Sequence, residues 1–461
     1  MAEDIIHIIE KHYKEKIDQT QHDFQIGVEL EFPIIKVGGH IIDIEVIKKL
    51  AFFIVEELGF NQITMYSDKI PVKMRNPLNQ DLISFEYCFS NLEFSLAPAL
   101  KLDDFTKRFW DYYEKITDFL ARRDHLLISQ GTNPYKWAEK VPILQSDYIK
   151  AACTLAKRKR RNSAYNIDHW LSIITSVQTH IHLREEKFAD VVNLLNKSEW
   201  INGLLFSNSG FWNGKTDPFL NMCSRDCFWQ DNGYVSKELD HPVADNHFSD
   251  IYDYYRFFIE KIQIVYVVRD KKYISLENMN ITDYYNSESI RGKVINGKND
   301  LKDIVVQPKD GDLDYFRLYF YNVLTVHGTL EMRSDCIQPL KDTFAPVAFN
   351  IGVASNYNKI KKYMDFITIK NSILRIKATK YHLNKEDWEF LKMPIKDFLY
   401  GFYDLVKQGL VQRGYGEEKH IECLVERIDK LESPAIRLIN SLKDGEDLNS
   451  IITRNNKRNY L

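Results

Sequence analysis

The stretch Ile26-Gly27-Val28-Glu29-Leu30-Glu31-Phe32 puts two carboxylates into an otherwise apolar run. A β-strand repeats every two residues, so Glu29 and Glu31 project from one face while Val28, Leu30 and Phe32 project from the other. Two like charges held that close repel, and each loses water on burial, so the arrangement calls for a cation, either Arg or Lys or a bound metal ion. An exposed strand with one wet acidic side would show the same alternation.

Three further stretches share the pattern. Ser84 to Ser95, S-F-E-Y-C-F-S-N-L-E-F-S, carries Glu86 and Glu93 among apolar and aromatic residues. Ser176 to Leu183, S-V-Q-T-H-I-H-L, sets Gln178, His180 and His182 against Val177, Thr179, Ile181 and Leu183. Thr329 to Asp335, T-L-E-M-R-S-D, places Glu331, Arg333 and Asp335 on one face of a regular strand. Together they read as the floor of one site, whose oxygen-rich donors suit a hard cation such as Mg²⁺ or Mn²⁺, with imidazole or amide as a minor contributor. Glu86 and Glu93 are an odd number of residues apart, so an unbroken strand would put them on opposite faces. A bulge or break near Ser90-Asn91 is predicted to restore a common face.

Strands with one polar face point to an antiparallel sheet. The expectation is an α+β fold: one large domain over 1–461, with a curved, mainly antiparallel sheet within about 24–350, flanking helices, and a helical region over about 340–450. Helices are predicted at 2–18, with Ile5, Ile8, Ile9 and Tyr13 inward, and from an Asp43 cap to Leu58, with Val46, Leu50, Ile54 and Leu58 inward. Others are expected from Asp103 or Asp104 to Arg123, from Asp147, and over Phe188–Leu204. Helical periodicity is assigned to Tyr252–Val268, its aromatics to the core, and 270–310 to a polar, irregular excursion.

The 461 residues carry a net charge of −3, which gives no global electrostatic reason to bind nucleic acid or an anionic membrane. The basic run Lys157–Arg161 then reads as solvated surface. No apolar run approaches the roughly 20 residues a membrane span needs. The six cysteines lack C-x-x-C spacing, and with no secretory signal they read as reduced thiols of a cytoplasmic protein. There is no G-x-x-x-x-G-K-S/T and no strand-linked G-x-G-x-x-G, so a phosphate-bearing ligand would be held by metal rather than by a glycine loop.

The ordered set G-V-E-L-E-F, F-E-Y-C-F-S-N-L-E-F-S, S-V-Q-T-H-I-H, L-F-S-N-S (205–209), R-D-C-F-W (225–229) and T-L-E-M-R-S-D resembles the glutamate-cysteine ligase family over roughly Phe24 to Asn350. That resemblance implies a glutamine synthetase-like catalytic fold. It implies ATP-dependent joining of the glutamate γ-carboxylate to the amine of cysteine through an acyl phosphate, with Mg²⁺ or Mn²⁺ as cofactor. Carried over, the metal ligands fall on Glu29, Glu86, Glu93, Gln178 and Glu331. Arg333 and Glu331 take the catalytic positions, Arg333 against the transferred phosphoryl group. Glu31, Arg225, His180 and Tyr148 take substrate-binding positions. The chain departs from the family at Glu86, where some members have Asp, and at His180 and His182, where others have Asn and Asp or Ser; His182 reads as a hydrogen-bonded filler. Two alternatives stand beside this: a ligase that joins glutamate or another acid to a different amine, and a nucleotide- or metal-binding protein without catalysis.

Overall fold

The computed structural model of the protein describes residues 2–18, 24–66, 69–144, 170–232, 241–261, 263–294, 302–316 and 320–454. The alternating stretches become strands of one nine-stranded sheet, paired antiparallel throughout. Near its centre lies β1 (Ile26–Lys36), between β5 (Asn91–Ala99) and β7 (Ser176–His182). Beyond β5 come β4 (Leu82–Phe85), β3 (Ile70–Arg75) and the edge strand β2 (Asn61–Tyr66). Beyond β7 come β15 (Thr329–Cys336) and β14 (Asn322–Leu324), and β6 (His125–Leu127) pairs with the far end of β1. A short hairpin, β8 (Phe211–Trp212) and β9 (Lys215–Thr216), stands apart. The chain is α+β, as its alternation predicts.

The helices run α1 (Ala2–Asp18), α2 (Ile44–Glu56), α3 (Leu102–Ala121), α4 (Glu185–Phe206), α5 (Ser224–Asn232), α6 (Ile251–Lys261), α7 (Ile281–Asn286), α8 (Ala345–Ser355), α9 (Tyr357–Met364), α10 (Asn371–Ala378) and α11 (Ile395–Arg413), followed by shorter ones. Of these, α2, α3, α4 and α8 pack against this sheet, while α1, α5 and α6 also give side chains to its polar face. Val28, Leu30 and Phe32 of β1 are all buried. The Phe32 ring meets Phe94 of β5 at 5.9 Å and Phe109 of α3 at 5.8 Å, joining sheet to helix. Burying each such side chain contributes roughly 1.5–3 kcal/mol, so this face anchors the sheet and frees the other for polar groups. Asp43 caps α2 as its sequence suggests, its carboxylate accepting from the Glu45 N–H. The buried face of α2 is Ile47, Leu50, Ala51 and Ile54, one residue round from the predicted stripe at Val46.

The break predicted near Ser90-Asn91 is present, since β5 begins at Asn91, and two other expectations are corrected. Ser84–Ser95 is more than a locally interrupted strand. It is a hairpin in which β4 and β5 run antiparallel, Ser84 facing Glu93, and the chain reverses over 86–90 with Tyr87 at φ +56°. Reversal brings Glu86 and Glu93 together, their side chains within hydrogen-bond reach of each other. Asp335 does not join Glu331 and Arg333, because the register of β15 against β7 slips between Met332 and Asp335. The bulge turns Asp335 to the face of Val177 and Thr179, where its carboxylate accepts from Asn202 at 3.1 Å and Asn350 at 3.0 Å. Finally, the helical pattern from Tyr252 stops at Lys261.

A second sheet follows, β10 (Gln263–Arg269), β11 (Lys272–Asn280), β12 (Ile290–Val294) and β13 (Lys302–Val306), in that order. The Ile264–Val268 run is rich in β-branched residues, which favour strand over helix. Asp270 and Lys271, both at positive φ, make the two-residue turn that a right-twisted hairpin requires. The predicted core role holds for Tyr254, Tyr255, Phe257 and Phe258, whereas Tyr252 is 37% exposed. The predicted helix from Asp147, the basic run and Tyr148 lie outside the described residues.

Candidate active site

The polar face of the sheet floors a pocket of about 440 Å³. Register decides which side chains meet there. Glu31 stands directly opposite Glu93, Glu29 opposite Gln178, and His180 opposite both Gly27 and Glu331. A Cβ at Gly27 would lie 3.2 Å from the His180 Cβ, so glycine is what lets the imidazole lie across β1.

Two groups result. In the first, His180 Nε2 is 3.5 Å from Glu29 Oε1 and 3.9 Å from Glu331 Oε1, and Arg333 Nη2 is 2.5 Å from Glu331 Oε2. One ligand atom from each of Glu29, His180 and Glu331 lies within 4.8 Å of the others, a donor set that fits a hard divalent cation with one imidazole. Burial pushes the Glu29 carboxyl up, but the hydrogen bond and charge of His180, with Arg333 and Lys73, outweigh it and hold Glu29 below its ordinary range. Burial likewise disfavours the imidazolium of His180, yet Glu29 and Glu331 carry its pKa above the usual value.

The second group is Glu31, Glu86 and Glu93. Glu31 accepts from Ser176 at 3.0 Å and from the Gln178 amide at 2.9 Å; Glu93 accepts from Ser84 at 3.1 Å and Ser95 at 2.6 Å. Burial, then the charge of Glu93, pushes Glu31 up to about 7. Burial, then Glu93 and Glu31, raises Glu86 well above the ordinary carboxyl range, and Glu93 is raised too. Hydroxyls and an amide soften this cluster without neutralising it, so it retains a deficit of positive charge.

Two cations act on this cluster: Lys73 on β3 draws Glu93 down, and Arg225 on α5 draws Glu31 down. The Arg225 guanidinium sits 5.9 Å from the ring centres of both Trp229 and Tyr321, Nη1 donates to the Ser334 carbonyl at 3.3 Å, and Nε is buried with no hydrogen-bond partner among the described residues. A buried unsatisfied guanidinium donor beside a pocket fits an anionic ligand. The pocket is also lined by the aromatic and apolar side chains of Tyr13, Phe258, Tyr266, Phe316 and Leu324.

Of the residues the sequence singled out, Glu29, Glu31, Glu86, Gln178, His180, Arg225, Glu331 and Arg333 all line this pocket, with Glu93 in contact from behind Glu86. Within the floor, the two polar residues of β7 take different partners. His180, expected to bind substrate, is the side chain between Glu29 and Glu331, while Gln178, expected to bind metal, gives its amide to Glu31. His182 is the filler its strand suggested, its Nε2 2.6 Å from the Ile17 carbonyl of α1. Sequence reasoning missed Lys73 and Trp229. The first sits on the I-P-V-K-M-R alternation of β3, the second one helical turn past Arg225; both signals are weak alone.

The chain matches no protein-family model. It is 25% identical over 240 residues to the chloroplastic glutamate–cysteine ligase of Medicago truncatula, a match covering 51% of this chain and 44% of that protein. The chain thus matches less than half the length of that curated relative. Its fold is similar to the glutamate–cysteine ligase of Francisella tularensis solved in complex with AMP, at TM-score 0.51 and 12% identity, over 95% of this chain and 89% of that one. It is also similar to a bifunctional glutathione synthetase from Pasteurella multocida, at TM-score 0.52 and 11% identity, over 98% of this chain and 53% of that one. The resemblance read from the strand motifs therefore stands in both sequence and fold.

Proposed function

We propose that the chain is an ATP-dependent carboxylate–amine ligase that joins the γ-carboxylate of glutamate to the amine of cysteine. Amide formation from a carboxylate in water is uphill, so the acid is activated first. Its oxygen attacks the terminal phosphorus of ATP, ADP leaves, and the acyl phosphate is then opened by the amine with release of phosphate. The observation that carries this reading is the acidic floor itself, where five glutamates converge with His180 and Arg333. A site that binds only a neutral ligand has no use for so much buried negative charge.

Glu29, His180 and Glu331 would hold one divalent cation, and Glu31, Glu86 and Glu93 would hold a second. Such ions supply the positive charge that lets an anionic acid approach an anionic phosphate. Arg333 directs a planar fork toward the transferring phosphoryl oxygens, and the Arg225 guanidinium anchors a carboxylate of the acid substrate. The aromatic side chains of the pocket lining offer surface for a nucleobase. Tyr148, assigned to substrate by resemblance, lies outside the described residues.

The test is ADP release by the purified protein with Mg²⁺ and ATP, first with glutamate, then with single amines added. The expected result is turnover requiring glutamate plus cysteine and lost in Glu331→Ala. A better acceptor than cysteine keeps the chemistry and changes the amine. No amine-dependent ADP under any pairing, with ATP still binding, points to the non-catalytic reading.

A further inference from the structure

Arg375 of α10 lies outside the pocket and is 1% exposed. Its Nε donates to Asp226 Oδ2 at 2.9 Å and Nη2 to Asp226 Oδ1 at 3.3 Å. Nη1 donates to the Glu199 carbonyl at 2.8 Å and to its Oε2 at 3.1 Å, and Nη2 also reaches the Ser334 carbonyl at 3.4 Å. Every N–H direction of the fork has an acceptor, an arrangement an ammonium cannot reproduce.

What the fork grips is the frame of both site arginines. Asp226 immediately follows Arg225 on α5, and its Oδ1 also accepts the Tyr321 hydroxyl at 2.5 Å. Ser334 immediately follows Arg333 in the β15 bulge, and its carbonyl receives Arg225 Nη1 from one side and Arg375 Nη2 from the other. The Tyr321 ring has the Arg225 guanidinium 5.9 Å from its centre and that of Arg375 at 5.5 Å. Asp226 supplies the negative charge that lets two guanidiniums stand this close.

We propose that Arg375 is a positioning residue: it sets the Arg225 guanidinium at the acid-substrate end of the pocket through Asp226, Tyr321 and the Ser334 carbonyl. The proposal rests on the ligase reading, in which Arg225 anchors a carboxylate. A displacement of about 1 Å at such an anchor costs on the order of 100-fold, and lysine at position 375 keeps the charge while losing the fork.

The experiment is a double-mutant cycle of Arg375→Lys and Arg225→Lys, reading kcat and KM for glutamate from ADP release, glutamate binding by calorimetry, and the thermal melt. Arg375→Lys is expected to raise the glutamate KM and Kd by about 10- to 100-fold with a smaller change in kcat, and the double variant to be no worse than Arg225→Lys alone. Losses that multiply, or a lowered melt with glutamate binding unchanged, overturn the proposal. If Arg375→Lys does not fold, Tyr321→Phe takes its place in the cycle, with the same non-additivity expected at smaller amplitude. Wild-type protein that neither binds nor turns over glutamate overturns the ligase reading along with this inference, whereas multiplied losses in an active wild type overturn this inference alone.

Discussion

Two regions of the molecule bury charge, and they do so in opposite ways. In the ionic network around Arg375, each carboxylate has several donors: Asp226 has Arg375 and Tyr321, Glu199 has Arg375 and Asn322, and Asp335 has Asn202 and Asn350. Burial still pushes Glu199 up to about 7 and raises Asp335, but Asp226 is held below the ordinary carboxylate range, because Arg375 outweighs its burial. In the pocket floor, Glu31, Glu86 and Glu93 face one another and all three are raised. The first region is complete without a ligand. The second is built so that something positive must arrive, which is how a fold separates groups that hold a site from groups that work in it.

The contrast breaks most visibly at Asp226. Replacing it with alanine leaves Arg375 a buried charge without its main partner, and loss of one partner from such a pair costs about 3–5 kcal/mol. Urea unfolding of Asp226→Ala is expected to show a loss of that size. A loss below about 1 kcal/mol would mean that water reaches the network and that it is not closed.

His241 sharpens the same point by pH. It is 5% exposed, Asp226 and Arg375 lie within electrostatic reach, and its Nδ1 accepts the Val243 N–H at 3.1 Å, a bond that protonation destroys. Burial, helped by Arg375, lowers its pKa to about 4 against an opposing pull from Asp226. With the folded pKa below the unfolded 6.5, the neutral ring contributes stability that is present above pH 6.5 and lost as pH falls toward 4. The expected loss over that window is about 2–3 kcal/mol, and His241→Gln should flatten it in thermal melts taken from pH 7 to 4.

Much of this was legible in the sequence, for reasons that differ by element. The period-2 alternation of β1, β7 and β15 shows a face, because a half-buried strand must segregate polar from apolar residues. Long-range pairing is not written that way. Nothing local says that Glu331 will oppose His180, or that a bulge after Met332 will send Asp335 to the helical side. The odd spacing of Glu86 and Glu93 showed a break before Asn91, but the chain reversal there and the Asp270-Lys271 turn escaped because positive φ is carried by residues other than glycine, Tyr87 among them. Arg375 gave no signal, since a buried arginine reads in sequence as another exposed one on an amphipathic helix.

The finest test of the contrast is Glu86→Gln, which removes a charge from the floor while keeping its shape. Glu86 is raised by burial first and by Glu93 and Glu31 after it, so the folded state binds its proton more tightly than the unfolded chain does. Its contribution to stability is whole below about pH 4.5 and is lost as pH climbs through the raised value, which makes the acid a liability at pH 8. Without divalent ions, Glu86→Gln is therefore expected to be more stable than wild type at pH 8 by on the order of 1 kcal/mol, and equal to it near pH 4. Adding Mg²⁺ should reverse the order: wild type gains stability by mass action as the cluster finds its cation, and the variant gains less. If Glu86→Gln instead unfolds more easily at pH 8 without metal, the floor is already compensated from within, and the distinction between a closed network and an open one does not hold.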